Sequence, residues 1–249
     1  MNKISKSGIL LFLSLFWLTA YSQVPTKRIK INNDLEIIQI TPNTYIHISY
    51  ANFTGYDRVA SNGVIFTEGT KAFLFDTPPT ELLTKQLVDW IERSMNFKII
   101  GFVPNHWHSD CIGGLKYLQT IGVESYANQI TIDIAKAKNL PVPKHGFKDS
   151  LTLNIGNREI KCYYFGAAHS MDNIVVWIPS EKVLFAGCMV KELKSRNLGN
   201  TVDGDLVGYP QTIEKVLQKF PEAKIVIPGH GDFGGIDLIT HTKELLTNK

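Results

Sequence analysis

Three cysteines, an odd number, cannot all pair, so a disulfide-stapled scaffold is excluded for this 249-residue chain. An excess of charge of one sign is also missing. The 26 Lys and Arg against 23 Asp and Glu leave a net +3, too little for the dense basic stripe that neutralises many phosphates. Nucleic acid is therefore not an expected partner. There is no Pro/Gly/Ser-rich linker, low-complexity tract or charge block, which favours one continuous domain. The apolar run Ile9–Ala20 has 12 residues, short of the roughly 20 that span a bilayer. With Lys3 and Lys6 before it and Ala20-Tyr21-Ser22 after it, residues 1–22 read as a cleaved signal peptide rather than a transmembrane anchor. The expected product is residues 23–249, periplasmic or secreted, with no stable membrane anchor. No cysteine follows the run, which argues against lipid attachment. Loss of Lys3 and Lys6 takes the net charge from +3 to +1, so overall charge says little about partners.

The rest alternates strand-like and helix-like segments, an α/β pattern. Leu35–Ile40 and Tyr45–Tyr50 read as strands, and Asn52–Asn62 as a polar, Gly-containing hairpin loop leading into Gly63–Phe66 and Ala72–Phe75. Thr80 begins a helix with Leu83, Leu87, Trp90 and Ile91 on one face. Lys98–Val103 and Val123–Tyr126 read as strands, Gly113–Thr120 and Gln129–Lys138 as helices. The second half offers strands at Leu151–Ile155, Glu159–Phe165, Asn173–Ile178, Val183–Ala186 and Lys224–Ile227, with helices at Pro210–Phe220 and Ile236–Leu246. Two such halves suggest two packed sheets with helices outside.

The sharpest local feature is Asn105-His106-Trp107-His108-Ser109-Asp110, directly after an apolar strand and before Gly113-Gly114. In an extended segment, side chains at i and i+2 project the same way, so His106 and His108 can face one metal while Asp110 reaches a neighbouring position. His169, Cys188 and His230 each follow a later apolar strand. A sheet-based fold gathers such strand-to-loop junctions at one edge. Six donors suit two incompletely filled zinc sites better than one. His106, His108 and His169 supply three neutral nitrogens and leave a position for water, while Asp110, Cys188 and His230 form a mixed O, S, N set. His47, His145 and His241 read as surface or satisfied core residues. Cys162, inside an apolar strand, reads as core.

From about Leu35 onward the sequence resembles the metallo-β-lactamases, in particular the dizinc subgroup with one three-His site and one Asp-Cys-His site. The resemblance rests on Asp76-Thr77-Pro78, His106-Trp107-His108-Ser109-Asp110, Gly113-Gly114-Leu115, His169-Ser170-Met171-Asp172-Asn173, Gly187-Cys188-Met189-Val190-Lys191, Leu198-Gly199-Asn200 and Pro228-Gly229-His230-Gly231. The chain departs from the family pattern at Asn105, Ala168, Ser170 and Ala186, all beside expected ligands rather than at them.

The resemblance implies a four-layer αβ/βα sandwich, two Zn2+ ions at one edge, and hydrolysis of the amide bond of small β-lactam antibiotics; the protein is expected to be a monomer. Penicillins, cephalosporins and carbapenems are the implied substrates, and antibiotic resistance the consequence. Lys191 resembles the residue that pairs with the substrate carboxylate, and Asn200 the one that bonds near the lactam carbonyl. Both join Asp110 as expected catalytic side chains. Phe53 and Tyr56 resemble a substrate-covering flap, and Asp76 a carboxylate that orients a ligand. Related hydrolases of thioesters and lactones typically carry His after the motif Asp and Asp at the later ligand position; this chain has Cys111 and Cys188. Cys111 is expected beside the ligands rather than among them. An exported protein with structural or stored zinc is the alternative from another class, and it requires closed, four-ligand sites.

Overall fold

Alternation of apolar residues, two by two, builds a sheet buried on both faces. The computed structural model describes residues 27–247, so the expected leader lies outside the described residues. Strands β1 (Lys27–Asn32), β2 (Leu35–Gln39), β3 (Thr44–Phe53), β4 (Tyr56–Glu68) and β5 (Lys71–Phe75) pair antiparallel in chain order. Helix α1 (Glu81–Ser94), capped by the Thr80 hydroxyl on the Leu83 amide, leads to β6 (Lys98–Val103). Helices α2 (Ser109–Ile112) and α3 (Leu115–Thr120) precede β7 (Glu124–Asn128), and α4 (Gln129–Ala137) precedes β8 (His145–Phe147). Each of these last three strands runs parallel to its predecessor, as helical crossovers require.

The second sheet has the order β13-β12-β11-β10-β9, comprising β9 (Ser150–Ile155), β10 (Arg158–Tyr163), β11 (Val175–Ile178), β12 (Val183–Gly187) and β13 (Ile225–Pro228). Helix α5 (Tyr209–Lys219) makes the crossover to β13, which lies parallel to β12, and α6 (Asp237–Thr247) follows.

Three apolar layers separate four layers of structure. Ile38, Val64, Phe66, Phe73 and Phe75 from the first sheet meet Val176, Ile178, Val183 and Phe185 from the second. The opposite first-sheet face, with Leu35, Ile37, Ile65 and Leu74, packs on Leu87, Val88 and Ile91 of α1 and Leu115 and Leu118 of α3. The opposite second-sheet face, with Val175, Trp177 and Leu184, packs on Tyr209, Ile213 and Val216 of α5 and Leu238 and Ile239 of α6. This is the expected αβ/βα sandwich. On α1, Thr84 and Val88 are buried where Leu83 and Trp90 were expected, and those two are half-buried.

The expected loop Asn52–Asn62 is mostly strand. Pairing of β3 with β4 continues to Phe53↔Tyr56, leaving only Thr54-Gly55 as the tip, with Gly55 at φ +81. Its polar composition reflects a ribbon that projects beyond the core. The edge strand β1 and the three-residue β8 carry too little apolar pattern to be read from sequence.

His47 of β3 is buried, and its Nε2 donates to the Asp76 carbonyl at 3.0 Å. Burial lowers its pKa from 6.5 to about 4. The fold thus favours the neutral ring: this stabilisation is complete above pH 6.5 and is lost as pH falls towards 4, about 3 kcal/mol in all. Urea unfolding at stepped pH should show a steep loss across this window that His47→Asn flattens. Equal slopes for both proteins would refute the assignment.

Candidate metal centre

Four segments deliver the donors to one edge. His106 and His108 follow the end of β6, and Asp110 lies in α2. His169 lies between β10 and β11, and Cys188 and His230 directly follow the parallel strands β12 and β13. Two glycines make the approach possible. Gly187 has φ +58, and a Cβ there would lie 2.3 Å from the Asn105 side chain; a Cβ at Gly229 would lie 2.4 Å from Cys188 Sγ.

The rings of His106, His108 and His169 pack mutually edge-on, with centroids 4.5, 5.0 and 5.3 Å apart. His106 Nε2 lies 2.8 Å from His108 Nδ1. The outer nitrogen of His108 faces the Asp203 carboxylate at 3.0 Å, and that of His106 faces Asn105 Oδ1 at 3.3 Å and Cys111 Sγ at 3.2 Å. If those outer nitrogens carry the protons, the inner lone pairs point at one another, a repulsive arrangement that a shared cation relieves. Beside them, Cys188 Sγ lies 3.3 Å from His230 Nε2 and 3.7 Å from Asp110 Oδ2, and the latter two atoms are 3.4 Å apart. The donors of Asp110, Cys188 and His230 form one close set, and Cys188 also groups with His106 and His169, so the two sets adjoin. The donor chemistry fits two borderline-soft divalent ions.

Burial above all, with neighbouring cationic groups, holds His106 and His169 far below the usual imidazole range, keeping them neutral as a metal requires. Burial, reinforced by the Asp110 carboxylate, pushes the Cys188 thiol up, so its thiolate needs compensating positive charge.

Lys191 donates from Nζ to the Cys188 carbonyl at 2.7 Å, and burial lowers its pKa. Asn200 uses Oδ1 to accept the Val202 amide at 3.2 Å, while its Nδ2 has no partner among the described residues. Both line the cavity that Phe53 and Tyr56 share with His108, Asp110, His169 and His230. Asp76 accepts the Asn105 backbone N–H, and burial raises its pKa well above the carboxylate range. Cys111 is buried against His106, and with His106 and Asp110 it forms a third close group. Cys162 sits in the inter-sheet core, its thiol pushed up to about 12 by burial.

Three contributors carried no sequence signal. Asp203 stands 95 residues from the His108 it orients, Ala60 O accepts His230 Nδ1 at 2.8 Å, and Asn62 Nδ2 donates to the Pro228 and Gly231 carbonyls, both at 2.9 Å. Partners of metal-ligating histidines typically contribute 10- to 100-fold to metal affinity. Asp203→Ala should therefore weaken metal retention about tenfold or more. Competition with a chromophoric chelator would reveal it, and unchanged retention would exclude the orienting role.

A family model described as the metallo-beta-lactamase superfamily matches residues 56–230, from the start of β4 to the last donor. The chain belongs to this superfamily. A Bacteroides fragilis protein named metallo-beta-lactamase type 2 is 47% identical over 241 residues, covering 97% of this chain and 96% of the relative. Its Bacillus cereus namesake is 32% identical over 212 residues, 85% of this chain and 82% of the relative. A solved metallo-beta-lactamase from Pontibacter korlensis superposes with TM-score 0.83 at 37% identity, over 86% of this chain and 100% of that one.

Proposed function

We infer that the protein is a dizinc hydrolase that opens the amide bond of β-lactam antibiotics and so confers resistance. The observation that carries this reading is the Asp110, Cys188 and His230 donor set placed against the three-histidine cluster, with His108, Asp110, His169 and His230 lining one cavity. His106, His108 and His169 would hold one ion and Asp110, Cys188 and His230 the other. When bound, the ions supply an activated water and positive charge against the lactam carbonyl and leaving nitrogen.

The side chains do the positioning. The Lys191 ammonium, anchored on the Cys188 carbonyl, pairs with the substrate carboxylate. Asn200 Nδ2, with its own oxygen already engaged, donates towards the lactam carbonyl. Phe53 and Tyr56, paired at the tip of the β3–β4 ribbon, close over the substrate and exclude water. Residues 1–22 act as the export signal, and residues 23–249 work as a monomer in the periplasm or outside the cell.

Purified residues 23–249 loaded with zinc should open a chromogenic cephalosporin, penicillins and carbapenems, and lose this activity to a chelator. Lactam turnover far below thioester turnover would move the protein to a related hydrolase class. Metal sites with every position filled by protein, seen by X-ray absorption, would favour structural zinc.

A further inference from the structure

Cys188 and His230 belong to one donor set but stand on separate loops, residues 188–195 after β12 and residues 229–234 after β13. The first loop has its own supports. The Tyr209 hydroxyl of α5 donates to the Met189 carbonyl at 2.6 Å, and the Lys191 amide donates to Thr242 Oγ1 of α6 at 2.8 Å. His241 Nε2 donates to the Ser195 carbonyl at 2.9 Å.

The second loop has glycine at 229, 231 and 234, so it brings little side-chain packing of its own. On one flank β4 supports it, through the Ala60 carbonyl on His230 Nδ1 and Asn62 Nδ2 on the Pro228 and Gly231 carbonyls. The other flank meets Glu192. Glu192 Oε2 accepts the Asp232 backbone N–H at 2.9 Å, and Gly231, at φ +82, approaches so closely that a Cβ there would run into the carboxylate. A backbone N–H donating to an ionised oxygen makes a bond about twice as strong as a neutral pair. Lys194 Nζ and Asp232 Oδ2, 2.6 Å apart, join the same loops, but their side chains are 77% and 68% exposed, so that pair contributes little. The Glu192 contact therefore ties the residue after Lys191 to the two residues after His230. Between these loops the Cys188 Sγ and His230 Nε2 atoms face each other at 3.3 Å.

Resting on the dizinc reading above, we propose that Glu192 is a positioning residue for the second metal ion. Its carboxylate clasps the turn at Gly231-Asp232 to the Cys188 loop and so fixes the His230 imidazole beside the Cys188 thiol. With the clasp removed, the turn after His230 keeps its β4 flank and loses the other.

Glu192→Ala should lower the affinity for the second zinc equivalent about tenfold in competition with a chromophoric chelator, and leave the first within twofold. Glu192→Gln, which keeps an acceptor oxygen without the charge, should lose about threefold. In the metal-free protein, deuterium exchange of the Asp232 amide should speed up about tenfold in Glu192→Ala, a readout independent of metal and substrate. At limiting zinc the alanine variant should lose kcat for a chromogenic cephalosporin and regain it in excess zinc, with KM within about twofold because Lys191 keeps its own anchors. Gly231→Ala should cost less second-zinc affinity in the Glu192→Ala background than in the wild type, since the two residues touch. Unchanged second-zinc affinity or unchanged Asp232 exchange in Glu192→Ala overturns the positioning role, as do losses that simply add. Equal weakening of both zincs would assign the effect to the fold and overturn it as well. If the wild type itself holds fewer than two zincs, the dizinc reading fails and this proposal with it.

Discussion

Replacing His106 with alanine should lower kcat/KM for a chromogenic cephalosporin at least about 10³-fold, a barrier increase of about 4 kcal/mol. The ring is fully buried at the meeting point of the donors. It packs on His108 and His169, and its nitrogens take part in two of the three close donor groups. An alanine there leaves two nitrogens at the three-histidine site and removes the contact that holds Cys111 in line. Metal analysis should show loss of about one equivalent per chain, and cobalt substitution should retain the thiolate-to-metal absorption from Cys188. Retention of two equivalents with near-normal turnover would remove His106 from the centre.

Asp76→Ala should destabilise the fold by about 3 kcal/mol, measured by urea unfolding at neutral pH. Asp76 directly follows β5 in a left-handed conformation, φ +58, with 1% of its surface exposed. Its carboxylate accepts the backbone N–H of Asn105, immediately before the first donor, and its own carbonyl accepts from His47. Alanine strands a buried N–H in the segment that must present His106, and it is also disfavoured at positive φ. Asp76→Asn keeps an acceptor and tolerates the conformation, so it should cost less than half as much. Equal losses for the two variants would argue that the carboxylate's charge, rather than the Asn105 bond, is what the fold uses.

Much of this arrangement was legible because strand periodicity is local. Ile37 and Ile38, or Leu74 and Phe75, point to opposite faces simply by being adjacent, and their apolar character predicts that both faces are covered. His106 and His108 announce a shared target through the same two-residue period. The length of the β3–β4 ribbon was not legible, since beyond Tyr50 most of its residues are half-buried or exposed and look like loop. Its extension matters, because Phe53 and Tyr56 reach the cavity from its tip and Ala60 orients His230 from its flank. Likewise Asp203 reads as one aspartate among several in a turn-rich stretch, and only its approach to His108 distinguishes it.

The residue types, their order and their strand-end positions were already enough to specify a two-sheet sandwich and to nominate six metal donors, because backbone periodicity and donor chemistry belong to each segment alone. The three-dimensional packing assigned partners. It brought Cys188 between the two donor sets and aimed the outer histidine nitrogens at Asp203, Ala60 and Cys111. Those relations join segments up to 170 residues apart, and such distances are set by how the layers close on one another, which no local pattern encodes.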